Sequence, residues 1–120
     1  RRRIDHRIMI GNTILAVETD ERQHRGYNIA DEEDRYDDLY MVHSGKWIFI
    51  RFNPDEYLDK DVKFTSCWGY NKYGIGIIKQ SKIKEWNDRL LQLNETINYW
   101  LNPNNRTNKY IEIIQLFYDI

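Results

Sequence analysis

Two residues near the start of the chain, Gly11-Asn12, constrain the fold more than any other feature. They suit the primed turns that close tight two-residue hairpins. Apolar residues alternate before them (Ile4, Ile8, Ile10), and β-branched and apolar residues dominate after them, from Thr13 to Val17. A two-residue loop fixes the register, so Ile10 faces Thr13, Ile8 faces Leu15 and Asp5 faces Glu18. Facing side chains share one side of a sheet, with Cβ atoms roughly 4.5–5.5 Å apart. Asp20, two residues beyond Glu18, falls on that same side.

Three carboxylates on one patch repel one another, and opposed like charges destabilise a sheet. A hard divalent cation offsets that cost. Mg2+ takes one or two protein carboxylates and keeps its other positions for water and phosphate oxygens. The competing reading is an exposed hairpin whose acids are solvated or paired with Arg3 and Arg7. The run Glu21-Arg22-Gln23-His24 shifts the balance toward a site, because it adds polar, proton-handling groups just past the strand.

At 120 residues the chain fits one domain, 1–120, large enough to bury a single core. Hydrophobic residues at 41% and aromatics at 14% are a globular composition, which excludes a disordered chain. The net charge of −1 gives no global basic field for nucleic acid, but the distribution is uneven. Arg1, Arg2, Arg3 and Arg7 make a basic start, while Glu18 to Asp38 carries nine acids against three arginines. A single cysteine, Cys67, excludes an internal disulfide framework and a multi-cysteine zinc site, and fits a reducing, intracellular compartment. No apolar run reaches the ~18 residues that would suggest a membrane span. The chain begins without methionine and almost at once in a strand, so the expectation is a piece lacking N-terminal elements.

Beyond Arg25-Gly26-Tyr27-Asn28, which reads as a turn, residues Asp31 to Val42 look helical. Asp31 is the expected cap, acids fill the first turn, Gly45 follows the end, and Tyr36, Leu39 and Tyr40 make the buried stripe. Lys46-Trp47-Ile48-Phe49-Ile50-Arg51-Phe52 suits a central strand covered on both faces. Strand, helix, strand implies a crossover and parallel pairing; Pro54 ends the strand. Glu56 to Gly76 reads poorly, with a short strand in Val62–Cys67 and an aromatic-rich loop from Trp68 to Gly74. Ser81 to Leu101 reads as an amphipathic helix with a core-facing stripe of Ile83, Trp86, Leu90, Leu93, Ile97 and Trp100. Tyr110 to Tyr118 alternates well enough to prefer a last strand over a short helix.

A strand ending near an aspartate, a turn, a strand written LAVETD, then QH, a helix containing an arginine and a strand written WIFIRF together resemble the PD-(D/E)XK nuclease superfamily. Within it the match is closest to the branch of very-short-patch-repair and EDxHD homing endonucleases. DERQHRGY followed by IFIRFNPDEY is similar to uncharacterised nuclease-like proteins of large DNA viruses, as is the helix with Glu85-Trp86 and Arg89-Leu90. The resemblance implies that Asp5 and Glu18 are metal ligands and that His24 is a general base or a proton donor to the leaving oxygen. Gln23 would orient water or phosphate. The position usually held by lysine is Asp20, a departure shared with the repair and homing branch, which relies on histidine. That branch also draws an acid from a helix before the first strand, which this sequence does not contain.

The expectation is thus a mixed α/β, restriction-endonuclease-like domain: a central mixed sheet, an N-terminal hairpin, a crossover helix and flanking helices. Its expected function is Mg2+- or Mn2+-dependent hydrolysis of DNA phosphodiester bonds. Asp5, Glu18 and Asp20 are the expected metal set, with Gln23 and His24 completing the catalytic group. Arg51, at the end of the central strand, would meet a phosphate or pair with Asp55 or Glu56 at the surface. Arg22 and Arg25 would grip the nucleic-acid backbone or remain solvated. Tyr27 and the aromatics of Trp68–Tyr73 are read as core packing ahead of base stacking. The alternative from another class is a catalytically silent nuclease-fold module that binds nucleic acid or a protein partner.

Overall fold

The computed structural model describes residues 6–24, 29–42 and 45–120. Strand β1 (His6–Ile10) turns at Gly11-Asn12 into β2 (Thr13–Thr19). Their antiparallel register pairs Ile10 with Thr13, Ile8 with Leu15 and His6 with Val17, as the two-residue turn dictates. Gly11 adopts φ +59, the left-handed conformation that such a turn requires of its first residue. Asp5 lies outside the described residues, so its pairing with Glu18 does too.

A short 3-10 turn (Glu21–His24) and helix α1 (Ile29–Val42) connect β2 to β3 (Lys46–Phe52), which runs parallel to β2. The helix begins two residues before Asp31, so Asp31 is inside it and is not its cap. After β3 come two small antiparallel hairpins, β4 (Tyr57–Asp59) with β5 (Val62–Phe64) and β6 (Trp68–Tyr70) with β7 (Gly76–Ile78). The expected aromatic loop is therefore a hairpin. Its strands are only three residues long, too short for alternation to stand out from the surrounding glycines. Lys60 and Asp61, both at positive φ, form the β4–β5 turn. A 3-10 turn (Gln80–Lys82) leads into α2 (Ile83–Leu101), and β8 (Ile111–Leu116) closes the sheet parallel to β3.

Among the described residues the result is a four-stranded mixed sheet of order β1-β2-β3-β8, an α/β architecture in three layers. Alternation along the strands sorts the core into two faces. Ile14, Ala16, Trp47 and Phe49 meet Leu39 and Tyr36 of α1 on one face. Leu15, Ile48, Ile50, Phe52 and Leu116 meet Trp86, Leu93, Ile97 and Trp100 of α2 on the other. β3 is buried on both faces, as a continuous apolar run predicts. Two members of the expected α2 stripe, Ile83 and Leu90, are exposed, and the helix buries Arg89 instead. No described helix is long and apolar enough to cross a membrane.

Candidate functional site

Parallel strands β2 and β3 end together, with Glu18 beside Arg51 and Thr19 beside Phe52 in the register. Open α/β sheets characteristically bind ligands beyond the carboxyl ends of their parallel strands. Here the face covered by α1 changes character at that end. Ile14 and Ala16 give way to Glu18 on β2 and to Asp20 just past its end, and Trp47 and Phe49 give way to Arg51 on β3. Facing them, α1 presents Glu32, Arg35 and Tyr36, one turn ahead of the apolar Leu39.

Glu18 and Asp20 are both buried, at 6% and 1% exposure, and both lie within the electrostatic reach of Arg51. Arg35 Nη2 donates to Glu18 Oε2. Glu18 Oε1, equally buried, has no hydrogen-bond donor among the described residues. Burial pushes the Glu18 carboxyl above its ordinary value; Arg35 opposes this by charge and hydrogen bond, the Asp20 charge adds to it, and Arg51 opposes it more weakly.

Asp20 Oδ2 accepts from Arg51 Nε and from the Tyr118 hydroxyl. Its backbone N–H donates to Phe52 O at 2.8 Å, which fixes the residue after β2 ends. Burial and the bond to Asp20 push the Tyr118 hydroxyl well above its usual range, so it stays protonated and donates. Arg51 also reaches Glu32 Oε2 at 3.2 Å and the Tyr36 hydroxyl at 2.8 Å. Burial works against the Arg51 charge, but Asp20 and the nearby tyrosines more than offset it and raise its pKa. Arg51 is not the surface arginine expected at the strand end. At 6% exposure it is an internal counterion, because its position alternates with Trp47 and Phe49 and faces the helix.

Among the described residues, the cluster brings together three carboxylates (Glu18, Asp20, Glu32) and two guanidiniums (Arg35, Arg51). Among the described residues no group of three His, Cys, Asp or Glu side chains is arranged to hold a metal ion. Asp5 and Arg25 fall outside the described residues, as do the side chains of Gln23 and His24. The backbone of the 3-10 turn carrying Gln23 and His24 does follow directly on Asp20.

The position of that turn is set by a second polar cluster. Arg22, exposed and at φ +53, donates its backbone N–H to Asp55 Oδ2 at 2.8 Å. Asp55 in turn belongs to a loop built around the fully buried Asn53. Asn53 Nδ2 donates to Glu56 O at 3.1 Å and Phe117 O at 2.8 Å, and its Oδ1 accepts from Asp55 N at 3.0 Å. Arg89, 2% exposed, donates to Asp55 O at 2.8 Å and lies over the rings of Tyr57 and Phe117 at 4.9 and 5.2 Å.

Arg35, Tyr36, Glu32 and Tyr118 are site residues that the sequence reading did not select. The first three had a detectable signal, since 32, 35, 36 and 39 are spaced as one helical face with charges complementary to Glu18 and Arg51. Tyr118 had none, because its direction depends on Phe117, a bulky residue at φ +64. No protein-family model matches this chain, and no curated protein and no solved structure matches it either.

Proposed function

We propose that this domain is a metal-dependent nuclease that hydrolyses DNA phosphodiester bonds, with Glu18 as the central metal ligand. The observation that carries this reading is Glu18 Oε1. It is a buried carboxylate oxygen with no donor among the described residues, beside a second buried carboxylate, Asp20, at the carboxyl ends of parallel strands. Such an atom fits Mg2+ or Mn2+, which bind hard oxygen ligands and retain waters.

In this reading Glu18 Oε1 binds the cation and Asp5, opposite it in the register implied by the turn, supplies a second carboxylate. Asp20 adds negative charge next to Glu18, while Arg51 and Tyr118 hold its Oδ2 in place. Arg35 keeps the other Glu18 oxygen fixed, so Oε1 is presented in one orientation. The bound cation would lower the pKa of a water and neutralise charge developing on the phosphate. His24 would take or give the proton, the role an imidazole serves near neutral pH. Gln23 would orient water or phosphate, and the exposed Arg22 would contact the nucleic-acid backbone.

The alternative, a silent module that retains the fold, is favoured by one observation: both arginines already neutralise part of the acid cluster. Calorimetric titration of Mn2+ into wild type and Glu18→Gln, with a plasmid-nicking assay in parallel, separates the two. The nuclease reading expects binding and nicking in wild type, loss of both in Glu18→Gln, and arrest by chelator. Wild-type protein that binds no Mn2+ and leaves plasmid intact would establish the silent module.

A further inference from the structure

The β6–β7 hairpin presents a second feature that the acid cluster does not explain. Tyr70 and Tyr73 are among the most exposed large side chains, at 80% and 74%, and Trp68, Ile75 and Ile77 are also exposed. The expectation that these aromatics pack in the core is therefore wrong for both tyrosines. Exposed apolar clusters of this kind mark interaction surfaces. The hairpin also sits in a basic stretch: Val62 to Lys84 contains five lysines and no acid, with Lys72 at the tip and Lys79 at the root, in a chain of net charge −1.

The tip is ordered by its own polar groups. Asn71 Oδ1 accepts from Tyr73 N at 2.9 Å and Ile75 N at 3.1 Å, and Asn71 N donates to Ile75 O at 3.0 Å. Gly74 adopts φ +77 to complete the turn. Lys72 and Tyr73 are thereby held at the tip, with the ammonium 5.1 Å from the ring centroid. At the root, Trp68 packs edge-on against Trp86 at 5.4 Å, and Lys79 N donates to Cys67 O at 2.8 Å. The Lys79 stem crosses Gly69, where a Cβ would lie 3.3 Å from its Cγ.

Between this root and the end of β2 lies a cleft of about 400 Å3 lined by Thr19, Glu21, Phe52, Trp68, Tyr70 and Trp86. Thr19 and Glu21 bracket Asp20 in the chain, but Phe52 and Trp86 belong to the α2 face, so the cleft opens at the end of β2 on the side of the sheet away from the acid cluster. Its walls are largely aromatic, with the carboxylates of Glu21 and Asp55 beside them, and Glu21 at its edge can accept from the exocyclic amino group of a base.

We propose that this cleft and hairpin bind single-stranded nucleic acid. A base seats against the exposed part of Trp68, neighbouring bases stack on Tyr70 and Tyr73, and Lys72 and Lys79 meet the phosphates. Aromatic faces with interleaved lysines are the combination that holds unpaired strands without sequence preference. A second copy of this chain is the less suitable occupant, because paired lysine-rich surfaces repel. The inference rests on the nuclease reading, and it specifies the form of the substrate: an unpaired strand held at the carboxyl end of β2, on the α2 side of the sheet.

Binding is measured by anisotropy of a labelled oligodeoxythymidylate, with chelator present so that cleavage does not intervene. Wild type should bind, with a salt slope of about −0.7 per phosphate contacted. Tyr70→Ala and Tyr73→Ala should each weaken binding about 5- to 150-fold, and Lys72→Ala should reduce the salt slope by about 0.7. Both tyrosines are exposed, so circular dichroism should show these variants folded. Glu18→Gln should bind the oligonucleotide like wild type, which keeps strand binding distinguishable from cleavage. Retained aromatic-dependent binding without wild-type nicking would sink the nuclease reading alone. Equal binding by all variants, equal competition by duplex, or a wild-type dimer that Tyr70→Ala dissociates would overturn the strand proposal.

Discussion

Arg51 and Arg89 are both almost completely buried, at 6% and 2% exposure, on opposite faces of the sheet near the end of β3. Arg51 is surrounded by acids and tyrosine hydroxyls, contacting Asp20, Glu32 and Tyr36. Arg89 has one carboxylate contact, Glu85 at 3.4 Å, and is otherwise held by a backbone carbonyl and two aromatic faces. Arg51 balances charge that the sheet buries. Arg89 holds a loop in shape, and its stem and planar head fill space that a smaller residue would leave empty. A buried cation thus has two physical justifications, and mutation distinguishes them.

The largest effect is expected at Arg51. Arg51→Met leaves Asp20 and Glu32 buried without their counterion, which should cost roughly 3–5 kcal/mol in denaturant unfolding. Adding Asp20→Asn should restore a large part of that loss. No recovery in the double variant would mean that packing, not charge, sets the cost at this position.

Arg89→Ala should cost about 2–4 kcal/mol through the lost ring contacts and carbonyl bond. Arg89→Met keeps an apolar stem over Tyr57 and Phe117 and should recover most of it. The contrast breaks if methionine rescues position 51 and fails at position 89.

Tyr118→Phe removes one donor to a charged acceptor and should cost about 1.5–3 kcal/mol by thermal or denaturant melting. Asp20 retains Arg51, so the loss should stay below that of Arg51→Met.

The smallest change belongs to Glu18→Gln, and it is read in pH rather than at one condition. Burial raises the Glu18 pKa above its ordinary 4.5, so the folded state binds this proton more tightly than the unfolded state. Its contribution is fully present below 4.5 and is lost as pH rises through the folded value. Glu18→Gln should flatten that part of the stability–pH curve. Saturating Mn2+ should flatten it in wild type, because metal competes with the proton. A wild-type curve that rises through this window would refute the direction.

What the sequence disclosed follows from the range of the forces involved. The β1–β2 register was legible because two turn residues determine it, and β3 because a seven-residue apolar run admits few alternatives. Helix α2 was legible as an element. The choice between Arg89 and Leu90 for its inner face was not, because the two differ by one step of helical rotation and hydropathy favours leucine. Arg51 misled for a similar reason: its environment is supplied by α1 and by a tyrosine 67 positions later, at 118. Glu18 and Asp20 were found from local spacing alone, whereas their neutralising partners required the crossover to be folded. The Asp5 and His24 side chains lie outside the described residues.

The left-handed Phe117 has one further consequence. Along β8 the even residues, Ile114 and Leu116 among them, face the α2 layer. Uninterrupted alternation would send Phe117 toward α1 and Tyr118 toward α2. At φ +64 the chain inserts half a step, so Phe117 joins Leu116 on the α2 side and Tyr118 crosses to Asp20. One dihedral angle therefore acts as a parity switch for everything after it. The cost of holding a bulky residue there is of order 1–3 kcal/mol. Phe117→Gly would relax that strain yet widen the choice, letting the chain end take either parity and leaving the hydroxyl on Asp20 only part of the time.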